Sequence, residues 1–295
     1  KLALGPNGLV VDGGPIELAP GRLWVLGAGK AAAGMAAAAE SLLGPDRVHG
    51  GMVVTAPGAA GSVPQRIEVL IGDHPVPGAA SAAATAALLR RAREVSGGDV
   101  VFWLLSGGAS SLLAAPAPGI SLEDKQQVTR ALLRSGATID EMNAVRKHLS
   151  AVKGGQLARH LSPATVITLA LSDVVSGRLD VIGSGPTVPD GSTYADALAV
   201  LDVHGLREIA PRGVLEHLER GAAGSVAETP KPGDPVFAGT VTCVIGSPAH
   251  AAEAALAAAR SMGVLDAELM DARLEGDVRA AAAMLGAHLR RAAFT

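Results

Sequence analysis

One feature constrains this chain above the others: short apolar runs recur along it, and most lead into Ala-rich stretches with helical spacing. The runs cover residues 23–27, 51–56, 67–71, 99–105, 165–171 and 240–245. They are continuous rather than alternating, which predicts strands buried on both faces. The stretches at 30–43, 79–95, 248–262 and 274–291 predict helices. This alternation predicts an α/β fold, a Rossmann-like, parallel-rich sheet with helices on both faces, three layers in all. Ligands of such sheets sit off the carboxyl ends of the strands. The residues that follow each run are therefore the candidates for chemistry.

Composition narrows the function class. The chain has 25 basic and 28 acidic side chains and only 2% aromatic residues. That balance lacks the basic face and stacking rings of a nucleic-acid binder. Cys243 is the single cysteine, which excludes an intramolecular disulfide and a cysteine-built zinc site. Apolar runs such as 100–105 are far shorter than the roughly 20 residues of a membrane helix. These features predict a soluble cytoplasmic protein with neither membrane nor nucleic acid as partner. Residues 1–20 read as a leading segment. Residues 172–193 form a long loop, and 222–239 read as a surface connection.

After the first run comes Gly27-Ala28-Gly29-Lys30-Ala31-Ala32. A dinucleotide site would add an acidic residue at the end of the second strand, for the ribose hydroxyls. That place reads Val54-Thr55-Ala56-Pro57 instead. What the segment offers is Lys30 at a helix start, where a cation and backbone N–H groups can hold an anion. After the third run, the turn Gly72-Asp73-His74-Pro75-Val76-Pro77 aims Asp73 and His74 in fixed directions, and Ser81 is placed to cap or open the next helix. After the fourth, Ser106-Gly107-Gly108-Ala109-Ser110-Ser111 combines glycines with hydroxyls, as phosphate-cradling loops do.

A basic stretch follows, with Asn143, Arg146, Lys147 and Lys153. On a helix Asn143 shares one face with Lys147 and with Arg146, which suits an anion site. In the long loop, Asp173 at a strand end and Asp190 are candidate magnesium ligands. For Asp190 an Asx turn before Thr193 is the alternative. Together these features suit nucleotide phosphate plus a small anionic substrate, hence phosphoryl transfer.

The ordered set of motifs resembles the class II glycerate 2-kinases, the MOFRL family. The matching segments include Gly29-Lys30-Ala31-Ala32, Gly72 to Pro77, Leu105 to Leu113, Asp124-Lys125, Ser135 to Ser150 with Lys153-Gly154-Gly155, Leu171 to Val174 and Ile182 to Thr187. The resemblance implies phosphorylation of D-glycerate at its 2-hydroxyl, with ATP and Mg²⁺. It implies catalytic roles for Lys30, Arg146 and Lys147. Phosphate contacts fall to Gly29, Ser106, Gly107, Gly108, Ser110, Ser111, Ser184, Gly185 and Thr187. Substrate contacts fall to His74, Asn143 and Lys153, and metal contacts to Asp173 and Asp190. The chain departs from the family where Ser176 and Gly177 replace a Gly-Asp pair. It is expected to form the N-terminal kinase domain over residues 1–295, without the family's C-terminal MOFRL domain. Alternatives are a non-catalytic nucleotide- or anion-binding relative and an NAD(P)H-dependent hydroxypyruvate reductase.

Overall fold

The computed structural model describes residues 2–5, 8–11, 14–16, 21–58, 63–174, 177–269 and 277–292. Two units separate, one of residues 1–171 with 178–245 and one of 172–177 with 246–295. Ser176 and residues 270–276, the start of the last expected helix, lie outside the described residues.

The first unit opens on three short antiparallel strands, β1 (Leu2–Gly5), β2 (Gly8–Val11) and β3 (Gly14–Ile16). The expected strands follow as β4 (Leu23–Ala28), β5 (Val48–Thr55), β6 (Ile67–Ile71), β7 (Val100–Ser106), β8 (Thr165–Leu171) and β9 (Thr240–Gly246). They form one six-stranded parallel sheet in the order β6-β5-β4-β7-β8-β9. Central β4 and β7 are buried along their whole length, whereas edge strands β6 and β9 are only partly covered. That is why the central strands read as unbroken apolar runs.

Helices cover both faces. On one side α1 (Ala32–Leu43) packs Ala32, Ala36, Ala39 and Leu43 against Val25, Val53, Phe102 and Leu104. Alanine suits this face because a small side chain lets the helix approach the sheet closely. Val54, one residue on from Val53, points the other way. It meets Ser81 of α2 (Ala79–Ala92) and Leu112 of the short α3 (Ala109–Leu112) around Gly72.

Between β7 and β8 the chain inserts α4 (Leu122–Ser135), α5 (Ile139–His148) and α6 (Gln156–Leu161). After β8 come α7 (Tyr194–Val203) and α8 (Arg212–Ala222). Val128, Leu132, Val145, Leu149, Leu201, Val214 and Leu218 give the helical layer a core of its own. Ser121, Thr138 and Thr193 cap α4, α5 and α7, each in a reciprocal capping box. The connection at 222–239 is not wholly superficial. Thr229 is buried and donates to Asp190 Oδ2 at 2.9 Å, which pins the segment to the interior.

At the amino end of the sheet, buried Asp99 collects Arg22, Trp24 Nε1 and the Ser96 amide. Burial pushes its carboxyl up, but these donors, Arg22 first, outweigh it and hold the group well below the usual carboxylate range. The opposite, carboxyl end carries the polar loops.

The second unit holds α9 (Pro248–Ser261), with Ser247 as its N-cap, and α10 (Val278–Ala292). No residue of α9 is buried.

Candidate active site

The strand order reverses between β4 and β7, which grow outward from the sheet centre in opposite directions. In open α/β sheets this switch point leaves a crevice at the strands' carboxyl ends, and ligands bind there. The two loops flanking it are Gly29-Lys30 and Gly107-Gly108. They interlock: Lys30 N–H donates to Gly107 O at 2.8 Å, and Ala31 N–H to Ser106 Oγ at 3.0 Å. Thr55 Oγ1 holds the Lys30 carbonyl from β5 at 3.2 Å. Gly29 has φ 139°, and a Cβ there would overlap Ser106 Oγ, so the two loops meet only because this residue is glycine.

Lys30 is thus fixed at its backbone while its side chain is exposed, with no partner for its ammonium among the described residues. It stands one residue before Ala31, the N-cap of α1, rather than in the helix's first turn. Gly108 lies beside it with φ 85°. A Cβ there would approach the His74 ring to 3.0 Å and Lys30 Cγ to 3.1 Å. Lys30, Gly108 and exposed His74 are therefore neighbours. Asp73 has a different task. Its carboxylate accepts from Ser81 N–H at 3.0 Å while Ser81 Oγ accepts from Asp73 N–H at 2.8 Å. Of the two places expected for Ser81, cap or opening of the helix, the structure gives the second: it is buried in the first turn of α2, and Asp73 accepts its N–H.

Behind the second loop lies a buried set of donors. Ser110 Oγ accepts from Arg146 Nη2 and, at 3.0 Å, from Lys153 Nζ. With both lone pairs used, its own proton points to Ser184 Oγ, 3.3 Å away. Ser184 Oγ then donates to Asn143 Oδ1 at 3.0 Å. The relay fixes the Asn143 amide, and it leaves buried Asn143 Nδ2 with no acceptor. Lys153 Nζ also reaches Ser110 O at 2.9 Å and Gly183 O at 3.4 Å. Burial pushes its ammonium well down, and the charges of Arg146 and Lys125 add to the effect. Burial likewise lowers Arg146.

Ser184 is held in the left-handed region at φ 61°, between Gly183 and Gly185 in the same region. A non-glycine residue there carries strain of order 1 kcal/mol or more. Backbone bonds from Gly154 N–H to Ser184 O at 2.9 Å and from Gly155 N–H to Gly185 O at 2.8 Å hold it. This tie brings the Lys153 loop and the Ser184 loop together.

Other expected residues are engaged elsewhere. Lys147 pairs with Asp190 at 3.2 Å and Asp180 at 3.5 Å. Asp190 is fully enclosed. Its Oδ1 accepts from Lys147 and from the Ser192 amide and hydroxyl, and its Oδ2 from Thr229. Buried Thr187 spends its hydroxyl on Thr168 at 2.8 Å, and Ser111 Oγ donates to Gly108 O at 3.0 Å. Asn143, Lys147, Asp180 and Asp190 instead line a cavity of about 390 Å³ rimmed by carboxylates.

A magnesium ion needs carboxylate oxygens with room for phosphate and water. Asp190 does not fit, since both oxygens are already occupied. Asp173, in the second unit, is exposed and has the chemistry of such a ligand. Among the described residues no three His, Cys, Asp or Glu side chains gather into a metal cage.

Sequence reasoning gave Lys125 a place in a matching motif but no role. It is buried on α4 at helical spacing with Val128 and Leu132, and its Nζ has no partner among the described residues. A lysine on an apolar stripe was the signal that could have found it. Burial, with the Arg146 charge behind it, brings its pKa down to about 7.

Residues 8–219 match the family model described as a domain of unknown function, DUF4147. The chain is 40% identical to a protein of Pyrococcus horikoshii named glycerate 2-kinase, over 94% of this chain and 61% of that one. It is 45% identical to an Agrobacterium vitis protein with a provisional hydroxypyruvate reductase name, over 93% of this chain and 59% of the relative. Among solved structures, a glycerate kinase of Thermotoga maritima superposes with a TM-score of 0.73 at 39% identity, covering 82% of this chain and 55% of that one. The chain thus spans about three fifths of the length of these relatives. Among the described residues no helix is long and apolar enough to cross a membrane. The fold, the switch-point loops and the matched span agree, and the chain belongs to the DUF4147 family as a relative of the glycerate 2-kinases.

Proposed function

We propose that this chain carries the phosphate-handling part of an enzyme that transfers the terminal phosphoryl group of ATP to the 2-hydroxyl of D-glycerate. The observation behind this reading is Lys30, a cation with no carboxylate partner among the described residues, fixed at its backbone beside Gly108 and His74 at the switch point. Phosphoryl transfer needs positioning and charge stabilisation more than covalent chemistry. Lys30 is placed to offset charge on the transferring group without reorganising, because three hydrogen bonds hold its backbone and its neighbour's. His74 is placed to donate to a substrate oxygen. Mg²⁺, when bound with ATP, would neutralise phosphate charge, and an exposed carboxylate such as Asp173 has the chemistry to ligate it. Lys147 and Asp190 act through position, as a buried ion pair that supports the face of α5.

A reductase reading is less favoured. Strand β5 ends in Val54-Thr55, with no acid for a ribose, and a lysine occupies the glycine turn. The test is Lys30→Ala in the complete gene product. ATP-dependent formation of 2-phosphoglycerate is expected to disappear while the melting temperature stays unchanged. Retained turnover would refute the role of Lys30. ATP binding without turnover in the wild type would favour the non-catalytic reading, and NADH-dependent reduction of hydroxypyruvate the reductase.

A further inference from the structure

The chemistry behind the Gly107-Gly108 loop is one-sided. Lys125 and Lys153 are buried and Arg146 is half-buried, their charges bear on one another, and no salt bridge among the described residues gives any of them a carboxylate. Arg146 and Lys153 converge on one hydroxyl, Ser110 Oγ. The unsatisfied buried atoms beside them are Lys125 Nζ and Asn143 Nδ2, and both are donors. A buried cation without an anion is costly, and two orphaned donors together with two cations that share one hydroxyl call for a ligand made of acceptors alone. A monocarboxylate would leave most of the positive charge uncompensated. A phosphate group carries close to two negative charges at neutral pH and several acceptor oxygens.

We infer that Lys125 joins Arg146, Lys153 and Asn143 in a buried pocket that takes one phosphate group, with Lys125 as its unpaired third cation. The inference deepens the kinase reading, but the site can be tested without turnover. The phosphate could belong to the nucleotide or to a phosphorylated product; the chemistry is shared. Lys125 is close to half protonated near neutral pH, so phosphate binding draws a proton onto it. The charge that bears on it is Arg146 of α5, and its own charge bears on Lys153 of the following loop. On α8, His217 is buried and occupied with His148 O at 3.0 Å. Next to it on α4, Asp124 is spent on the Ser121 cap.

The probe is inorganic phosphate, titrated calorimetrically into the wild-type protein, Lys125→Met and Lys125→Arg. Lys125→Met is expected to weaken phosphate about tenfold or more, the scale of one charged hydrogen bond. Lys125→Arg keeps the charge at every pH. Wild-type affinity relative to that variant should therefore fall about tenfold or more from near pH 6.5 to near pH 8.5. Comparison with the variant cancels the ionisation of phosphate itself. Titrations of ATP and of 2-phosphoglycerate then identify the source, since the ligand whose affinity falls in Lys125→Met is the one whose phosphate sits there. Affinities for all three ligands within twofold of wild type in Lys125→Met would overturn the inference, as would a pH-independent ratio. If phosphate binding behaves as expected but glycerate is never phosphorylated, the kinase reading fails and the site stands. If turnover is intact and phosphate binding is unmoved, the site alone fails.

Discussion

Replacing Lys125 by Met should make the ligand-free protein more stable. Methionine keeps the unbranched shape and removes the charge. In the wild type Lys125 is 7% exposed, its ammonium has no hydrogen-bond partner among the described residues, and its pKa is brought from 10.5 to about 7 by burial and by Arg146. Each unit of pKa corresponds to about 1.4 kcal/mol. The cost of burying the charge is then roughly 5 kcal/mol well below pH 7 and about 4 kcal/mol near pH 7, where the folded group is half neutral. The sign follows from the direction of the shift. A lysine whose folded pKa is lowered destabilises in full below that pKa. The penalty shrinks as pH rises and is gone above the unfolded pKa, where both states are neutral. Urea unfolding in phosphate-free buffer should show Lys125→Met ahead of wild type by about 4 kcal/mol near pH 7, with the gap closing toward pH 11. A variant less stable than wild type near pH 7, or a gap that does not change with pH, would refute the account of Lys125 as an uncompensated buried charge.

Two further perturbations separate structural from functional roles. Asp190→Ala leaves Lys147 buried with only half-exposed Asp180 nearby, so a loss of about 3–5 kcal/mol is expected in urea unfolding. A loss below about 1 kcal/mol together with lost magnesium dependence would instead mark Asp190 as a metal ligand. Gly108→Ala forces a Cβ against the His74 ring and Lys30 Cγ at φ 85°, so about 1–3 kcal/mol of strain is expected. Unchanged melting temperature and turnover would show that the close approach of these loops is unimportant.

The parallel sheet was legible because strands buried on both faces leave unbroken apolar runs, and all six were predicted. Strand β5 starts at Val48 rather than Gly51 because parallel pairing with β4 extends it through His49 and Gly50, a non-local effect. Strands β1 to β3 escaped notice for the same reason: three or four residues each, they are defined by antiparallel register rather than pattern. In the site, Lys30 and the 106–108 loop were readable from position alone, since both directly follow central strands. The partners of the α5 cations were not. Asp190 lies 43 residues beyond Lys147, and nothing in the linear order distinguishes a lysine that pairs there from Lys153, which meets Ser110. Lys125 shares a helical stripe with Val128 and Leu132, but the linear order does not show that the helical layer closes over it. The left-handed Ser184 is likewise a product of tertiary ties, because a serine flanked by glycines carries no local instruction to adopt that conformation.

The placement of the two tryptophans, Trp24 and Trp103, governs what optical experiments will see. They lie on adjacent strands of the sheet centre, at 2% and 0% exposure, with Trp24 Nε1 bonded to Asp99 at the end of the sheet away from the ligand loops. Intrinsic fluorescence is therefore a sensor of the central sheet of the first unit. Ligand titrations followed by tryptophan emission should appear nearly silent even when binding is tight. Melting curves recorded that way will report the sheet and pass over the second unit, which contains no tryptophan. A discrepancy between fluorescence and circular dichroism in such a melt would then be a signature of two units unfolding separately.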